Sequence, residues 1–204
     1  MYFVFDLDGV LRNNIEDKLN KFLRGYNRSE TLLRSIENNI NGLYRESLLL
    51  IPNLLPAKFS SKINSKTEKN KMDLEIDMLN LMKALQNSGD SLLIRTVNNG
   101  NIAKSLKETL KNANINAKVE QIKNLDKWVP INNEPPIIIE DNPFIALKAA
   151  KHNCIVFLLR RNYNSLLGEL FSSLNNNIHL VSNANEIFKE INAIKNKTNY
   201  STNK

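Results

Sequence analysis

Short apolar runs alternate along the chain with segments of helical spacing, and this alternation constrains the fold more than any other feature. The runs are rich in Val, Ile, Leu and Phe, as is typical of strands buried on both faces. Strands that alternate with helices form a parallel sheet covered on both sides. The sequence therefore predicts a Rossmann-like three-layer α/β sandwich with a mostly parallel sheet, its strands at Tyr2–Asp6, Leu92–Thr96, Lys118–Ile122, Ile137–Glu140, Ile155–Leu159 and Ile178–Val181.

The segments between these strands carry apolar residues at helical intervals. Ile102, Leu106 and Leu110 form one such stripe, and Leu166, Leu170 and Leu174 form another. A stripe of this kind is typical of a helix that packs on a core. These segments are predicted to be the helices that cover the sheet.

The long interval from Arg12 to about Asp90 is predicted to contain no strand. It includes a helical stripe from Leu32 to Leu43 and, near its end, a helix from about Met72 to Gln86. We interpret residues 13–87 as an inserted helical domain, with residues 1–12 and 88–204 forming the α/β core. The segment from Arg12 to Lys71 contains twelve Lys and Arg residues but only six Asp and Glu residues. Its net charge is therefore +6, compared with +7 for the whole chain. Such a surface favours an anionic ligand, either a phosphorylated metabolite or a nucleic-acid backbone, although a merely solvated surface has the same composition.

The N-terminal apolar stretch is too short for a signal peptide or a membrane helix, because Asp6 and Asp8 interrupt it. The sequence therefore predicts a cytoplasmic protein that does not associate with membranes. The single cysteine, Cys154, lies in an apolar run and is predicted to be a buried, inert thiol.

Two acidic residues follow the first predicted strand, in the heptad Phe5-Asp6-Leu7-Asp8-Gly9-Val10-Leu11. Ligands bind at the carboxyl edge of parallel sheets, where these acids lie. Neighbouring carboxylates repel unless a cation lies between them, and magnesium prefers such oxygen ligands. We therefore expect Asp6 and Asp8 to have a metal-binding or catalytic role.

This heptad resembles the first motif of the haloacid dehalogenase (HAD)-like phosphatases, with its DxDGVL pattern. The resemblance implies that Asp6 attacks phosphorus to form an aspartyl-phosphate, and that Asp8 acts as general acid and then base. An acid at the second position implies hydrolysis of a phosphate ester and not dehalogenation.

Later segments resemble the other motifs of this family in order. Thr96 ends the second predicted strand and would hydrogen-bond a phosphoryl oxygen, as in the second motif. Glu140 and Asp141 end the strand before Asn142, and by resemblance to the fourth motif they would bind Mg²⁺ together with Asp6 and Asp8. The alternative interpretation of this acidic segment is a helix N-cap, which suits Asn142 better than the acids.

The third motif requires a Lys or Arg that neutralises the nucleophile and the phosphoryl group. No Lys-Pro dipeptide, common in relatives, precedes the fourth motif. We assign this role to Lys127, with Lys123 and Lys104 as open alternatives.

The insert lies at the position of the family's C1 cap, whose cationic residues, among them Arg12, Lys21 and Arg24, are candidates for binding a second anionic group. The segment Arg160–Asn164 resembles the Arg-Pro-Tyr-Asn segment of the nucleotidase branch, although a polar turn would look the same. The sequence thus predicts a magnesium-dependent phosphomonoester hydrolase acting on a small phosphorylated metabolite, with a nucleotide as one candidate. The alternative is a catalytically vestigial HAD-like protein that binds nucleic acid or another polyanion through its basic insert.

Overall fold

Six parallel strands form one sheet. The computed structural model describes residues 1–12, 72, 74–96, 100–122, 128–161 and 164–201. The strands are β1 (Tyr2–Phe5), β2 (Ser91–Thr96), β3 (Ala117–Gln121), β4 (Ile137–Glu140), β5 (Val156–Leu159) and β6 (Ile178–Val181). Their order across the sheet is β3-β2-β1-β4-β5-β6. Each predicted strand is confirmed to within one residue at either end.

Helices cover both faces of this sheet, as the alternation predicted. Within the described ranges they are α1 (Ile76–Asn87), α2 (Gly100–Asn112), α3 (Pro143–Lys151), α4 (Ser165–Leu174) and α5 (Ala184–Ser201). Side chains alternate along each strand, so Phe3 and Phe5 pack into the core under α1, α2 and α5, whereas Val4 packs on the opposite side, which α3 and α4 cover. The Rossmann-like three-layer arrangement is confirmed.

The strand order reverses at β1, and this determines where a site can form. The chain runs from β1 through β2 to β3 on one side, and then returns to place β4 on the other side of β1. Phe5 pairs with Ile94 of β2 and with Ile139 of β4. Open parallel sheets bind ligands beyond the carboxyl ends of the strands at such a reversal, so the residues that follow Phe5 and Ile139 lie at the expected place.

The helix α1 belongs to the core. Its Met78, Leu81, Met82 and Leu85 are buried with Phe3 and Phe5, and it packs against β2 and α5. The amide of Glu75, just before α1, donates to the carbonyl of Leu11 over 2.7 Å. The chain therefore leaves the core and returns to it at adjacent points. We propose that the insert ends before Glu75, and not at residue 87; residues 13–71 and 73, including the predicted Leu32–Leu43 stripe, lie outside the described residues.

The leucine stripe of α4 does not face the sheet. Leu166, Leu170 and Leu174 have exposed fractions of 43%, 48% and 71%. The opposite side of α4 packs inwards, because Gly168 allows a close approach: a Cβ there would lie 3.0 Å from Cδ1 of Leu180 on β6. The helix was correctly predicted, but its buried face was not, since spacing alone cannot show that a glycine face is in contact with the sheet. The stripe Ile102, Leu106 and Leu110 of α2 is buried as predicted.

Two further sequence expectations concern Cys154 and membranes. Cys154 is fully buried, and this burial raises the pKa of its thiol to about 11, so the reactive thiolate is scarce at neutral pH. This agrees with an inert thiol. None of the described helices is both long and apolar enough to cross a membrane.

Candidate active site

The segment after β1 turns back tightly on itself. The amide of Asp6 donates to the Ile139 carbonyl over 3.0 Å, which still belongs to the pairing with β4. The chain then turns: the amides of Leu11 and Arg12 both donate to the Leu7 carbonyl, at 3.1 and 2.9 Å, and the amide of Gly9 donates to the Arg12 carbonyl over 2.8 Å. Residues 6–12 are therefore held as one closed loop, which we call the β1 loop.

Three carboxylates meet where β1 and β4 end. Asp6, Glu140 and Asp141 each offer an oxygen, and these oxygens all lie within 4.8 Å of one another. Glu140 and Asp141 have exposed fractions of only 0% and 2%. Carboxylates this close together and this poorly hydrated repel one another, and a cation between them offsets the repulsion. Because carboxylate oxygens are the ligands that magnesium prefers, the three residues form a fitting site for that ion.

Gly9 makes this arrangement possible. Its φ is +85°, and a Cβ at this position would lie 2.0 Å from Oδ2 and 2.6 Å from Oδ1 of Asp141. Only glycine adopts this backbone conformation readily and also leaves room for the carboxylate. The glycine of the heptad therefore has two functions: it shapes the β1 loop and it lets the Asp141 side chain lie against that loop.

Glu140 and Asn142 have separate hydrogen-bonding roles at the end of β4. Oε1 of Glu140 accepts from the amides of Asp141 and Asn142 over 3.1 and 3.0 Å. Oδ1 of Asn142 accepts from the amide of Phe144 over 3.0 Å, so Asn142 is the N-cap of α3. The helix cap is thus the amide residue and not the acids, and both carboxylates remain part of the acidic site.

Asp8 lies outside the group of three acids. Its Oδ1 accepts a hydrogen bond from Nε of Arg12 within the β1 loop, and both side chains are partly buried. The structure therefore brings together three of the four predicted metal ligands and places the fourth in an ion pair. It also places Arg12, a candidate for binding a second anion, against Asp8.

Thr96 ends β2 at the same sheet edge and is buried. Phe5 is level with Ile94, so Thr96 lies two residues further along the neighbouring strand. Beside it, the buried Arg95 donates to Oε2 of Glu120 over 3.0 Å and to the Val129 carbonyl over 2.9 Å. Burial raises the pKa of Glu120, but the hydrogen bonds from Lys118 and Arg95 outweigh this effect and the pKa is lowered overall.

The three candidate lysines lie in different parts of the chain. Lys104 is exposed on α2, whereas Lys123 and Lys127 lie outside the residues that the structure describes. The residues that directly follow Lys127 are well anchored. Arg95 binds the Val129 carbonyl, and the Trp128 ring stacks on His152 with centroids 5.4 Å apart. The assignment of Lys127 stays a prediction.

Arg161 and Asn164 make contacts at the site that the sequence did not predict. Nε of Arg161 donates to the Gly9 carbonyl, and its Nη2 donates to Oε1 of Glu75, each over 2.9 Å. Asn164 is fully buried and donates to the carbonyls of Leu159 and Asp141, while its Oδ1 accepts from the Arg161 amide over 2.8 Å. The polar segment Arg160–Asn164 was the only signal for these contacts.

Comparisons with known proteins agree on the fold. No family model matches the chain, and no curated protein matches it either. A solved structure of a predicted phosphatase from Clostridium acetobutylicum matches with a TM-score of 0.62 and 16% identity, over 93% of this chain and 97% of that one. The structure of a hydrolase from Pseudomonas syringae matches with a TM-score of 0.58 and 14% identity, over 95% and 99% of the two chains. The chain thus shares a Rossmann-like α/β fold with these two proteins, in agreement with the fold class that the alternation of strands and helices predicted.

Proposed function

We propose that the protein is a magnesium-dependent phosphomonoester hydrolase of the HAD-like type. The observation that carries this proposal is the meeting of Asp6, Glu140 and Asp141 within 4.8 Å at the point where the strand order reverses. The fold that the chain shares with a predicted phosphatase and a hydrolase supports the same reaction class. Fold alone does not determine activity, so the acids carry the argument.

Asp6 is the proposed nucleophile. One of its carboxylate oxygens bonds to phosphorus while the bond from phosphorus to the ester oxygen breaks, and Asp8 gives its proton to the departing alkoxide. Water then bonds to phosphorus, Asp8 takes a proton from that water, and the bond to the Asp6 oxygen breaks. Inorganic phosphate leaves, and both acids return to their starting states.

Other residues would bind and orient the phosphoryl group. Asp6, Glu140 and Asp141 would hold Mg²⁺, which supplies positive charge against the phosphoryl oxygens when bound. Asp8, predicted as a fourth ligand, lies outside the group of three acids and pairs with Arg12. In this proposal it contributes through proton transfer, for which it leaves Arg12 and takes up a proton when the substrate binds. Thr96 would donate its hydroxyl to a phosphoryl oxygen, and Lys127 would neutralise the nucleophile and the transferring group.

The substrate is proposed to be a small phosphorylated metabolite. The excess positive charge between Arg12 and Lys71 supports an anionic ligand. A nucleoside monophosphate is one candidate, on the resemblance of Arg160–Asn164 to the nucleotidase segment. We further propose that the insert acts as a cap over the sheet edge. The protein is also proposed to be cytoplasmic.

A panel of phosphorylated metabolites tests the proposed function. With Mg²⁺ present, the protein is expected to release phosphate from p-nitrophenyl phosphate and faster from at least one metabolite. The competing function is nucleic-acid binding through the basic insert, and it predicts salt-dependent retention on RNA or DNA that Asp6→Asn leaves unchanged. If no member of the panel releases phosphate and the protein is retained on nucleic acid in this way, the proposed hydrolase function is wrong and the nucleic-acid-binding function is favoured.

The two acids at the end of β4 are expected to differ in their effect on magnesium. Asp141→Asn should raise the magnesium concentration for half-maximal activity by about tenfold or more, and Glu140→Gln by less. The reason is that the Glu140 Oε1 atom already accepts two backbone amides, and the carbonyl oxygen of a glutamine can keep accepting them. A magnesium titration of both variants measures this, and the reverse order would exchange the two roles.

A further inference from the structure

We propose that Arg161 is a positioning residue that ties the return point of the insert to the acidic site. The inference rests on the proposed function, because Arg161 is proposed to hold the nucleophile and the metal-binding carboxylates in their relative positions. Arg161 follows β5, two strands away from β1. Its side chain nevertheless reaches the β1 loop and the start of α1 at once.

The contacts of Arg161 form a continuous chain from Glu75 to Asp141. Nη2 binds the Glu75 carboxylate and Nε binds the Gly9 carbonyl, each over 2.9 Å. Gly9 lies directly against the Asp141 carboxylate, because a Cβ on Gly9 would be 2.0 Å from it. A shift of the Gly9 carbonyl would therefore move the surroundings of Asp141.

Three further hydrogen bonds close this chain into a ring. The amide of Glu75 donates to the carbonyl of Leu11, so the start of α1 is also held against the end of the β1 loop. The Arg161 amide donates to Asn164, whose side-chain amide in turn binds the Asp141 carbonyl. Arg161 thus contacts the site through its side chain and through its backbone.

The geometry requires an arginine. Nε and Nη2 point to acceptors on two different segments, and the planar guanidinium holds both in a fixed relation. A lysine keeps the positive charge but offers a single ammonium on a flexible stem. Comparing the two residues therefore separates positioning from simple charge.

The neighbouring Arg160 provides a matched control. Its Nη2 pairs with Oε1 of Glu169 over 3.2 Å, and the two side chains are 46% and 56% exposed. Arg160→Ala removes an arginine side chain at the position next to Arg161. It breaks only a surface ion pair, and such pairs contribute little to stability.

The experiment compares Arg161→Ala, Arg161→Lys, Glu75→Ala, the double variant Arg161→Ala with Glu75→Ala, and Arg160→Ala in the full chain. Steady-state kinetics with p-nitrophenyl phosphate and Mg²⁺ give kcat and KM. Arg161→Ala is expected to lower kcat by about tenfold to a hundredfold with a smaller change in KM, the loss typical of misplaced catalytic groups. Arg161→Lys should recover only part of this loss, and Arg160→Ala should stay within about twofold of wild type.

Hydrogen exchange supplies a readout that does not depend on activity. In Arg161→Ala the amides of Gly9, Leu11, Arg12 and Glu75 should exchange about tenfold faster, while amides of β2 and β3 keep their wild-type rates. General destabilisation would speed up both groups. If Arg161→Ala does not fold, kcat and amide exchange are measured in Arg161→Lys and Glu75→Ala instead.

Three results would overturn the proposal. One is an Arg161→Ala variant that matches Arg160→Ala in both kcat and exchange. Another is full recovery of kcat by Arg161→Lys, which would make the charge sufficient. The third is strict additivity of the Arg161→Ala and Glu75→Ala losses in the double variant, since coupled residues lose the interaction only once. An inactive wild type with the expected exchange pattern would instead contradict the proposed function and leave the positioning role supported.

Discussion

Asp6→Asn is expected to lower kcat by at least about a thousandfold, the scale of loss when a nucleophile is removed. An amide has nearly the same size as the carboxylate but is a far weaker nucleophile toward phosphorus. The free energy of unfolding should stay the same or rise, because Asp6 lies within 4.8 Å of two other carboxylates and its repulsion is removed. Steady-state phosphate release and thermal unfolding measure the two effects.

Asp77→Asn is the matched control for this variant. Asp77 lies exposed in the first turn of α1, so the same chemical change there should alter kcat by less than about twofold. Phosphatase activity of Asp6→Asn within tenfold of wild type, in protein free of contaminating enzyme, would contradict the nucleophile assignment.

Gly9→Ala is expected to have the next largest effect. The new Cβ would overlap the Asp141 carboxylate, and the φ of +85° disfavours any residue with a Cβ. Either the β1 loop or Asp141 must move, so we expect kcat to fall by about a hundredfold and magnesium to bind at least about tenfold more weakly. Kinetics and calorimetric magnesium titration of the folded variant test this.

Gly89→Ala separates the two causes. Gly89 has a similar φ of +80°, but a Cβ there would meet no atom within 4 Å. This variant should lose roughly 1–2 kcal/mol of stability from the backbone conformation alone and keep normal kinetics. Equal kinetic losses in both glycine variants would show that steric contact with Asp141 is not the cause.

Most of the sheet could be predicted from the sequence because strands buried on both faces are largely apolar. Runs such as Ile137–Glu140 and Ile178–Val181 therefore stand out, and their observed ends coincide with the predicted ones. Hydrophobic spacing did not predict the buried face of α4, where a contact made through Gly168 places the leucine stripe outside. The amphipathic pattern of α1 likewise predicted a helix but not that it packs on this sheet.

The acidic site could be predicted in part for a related reason. Asp6, Glu140 and Asp141 each end a recognisable strand, and parallel strands bring their carboxyl ends to one edge. Arg161 could not be found in this way, because it meets Gly9 across 152 positions of sequence and through a backbone carbonyl, which leaves no trace in residue type. The buried Arg95 was also unassigned, since its partners Glu120 and Val129 become neighbours only in the folded chain.

The central place of β1 has a consequence for how the chain folds. Phe3 pairs with Leu92 on one side and with Ile137 on the other, so the central strand gains its neighbours only through contacts across about 90 and 130 positions. Contacts so distant in sequence slow folding. At a synthesis rate of about 5–20 residues per second, β4 is made on the order of ten seconds after β1. Until then an apolar strand with an open edge needs shielding, and we expect refolding in vitro to be slow and to yield more native protein at low protein concentration.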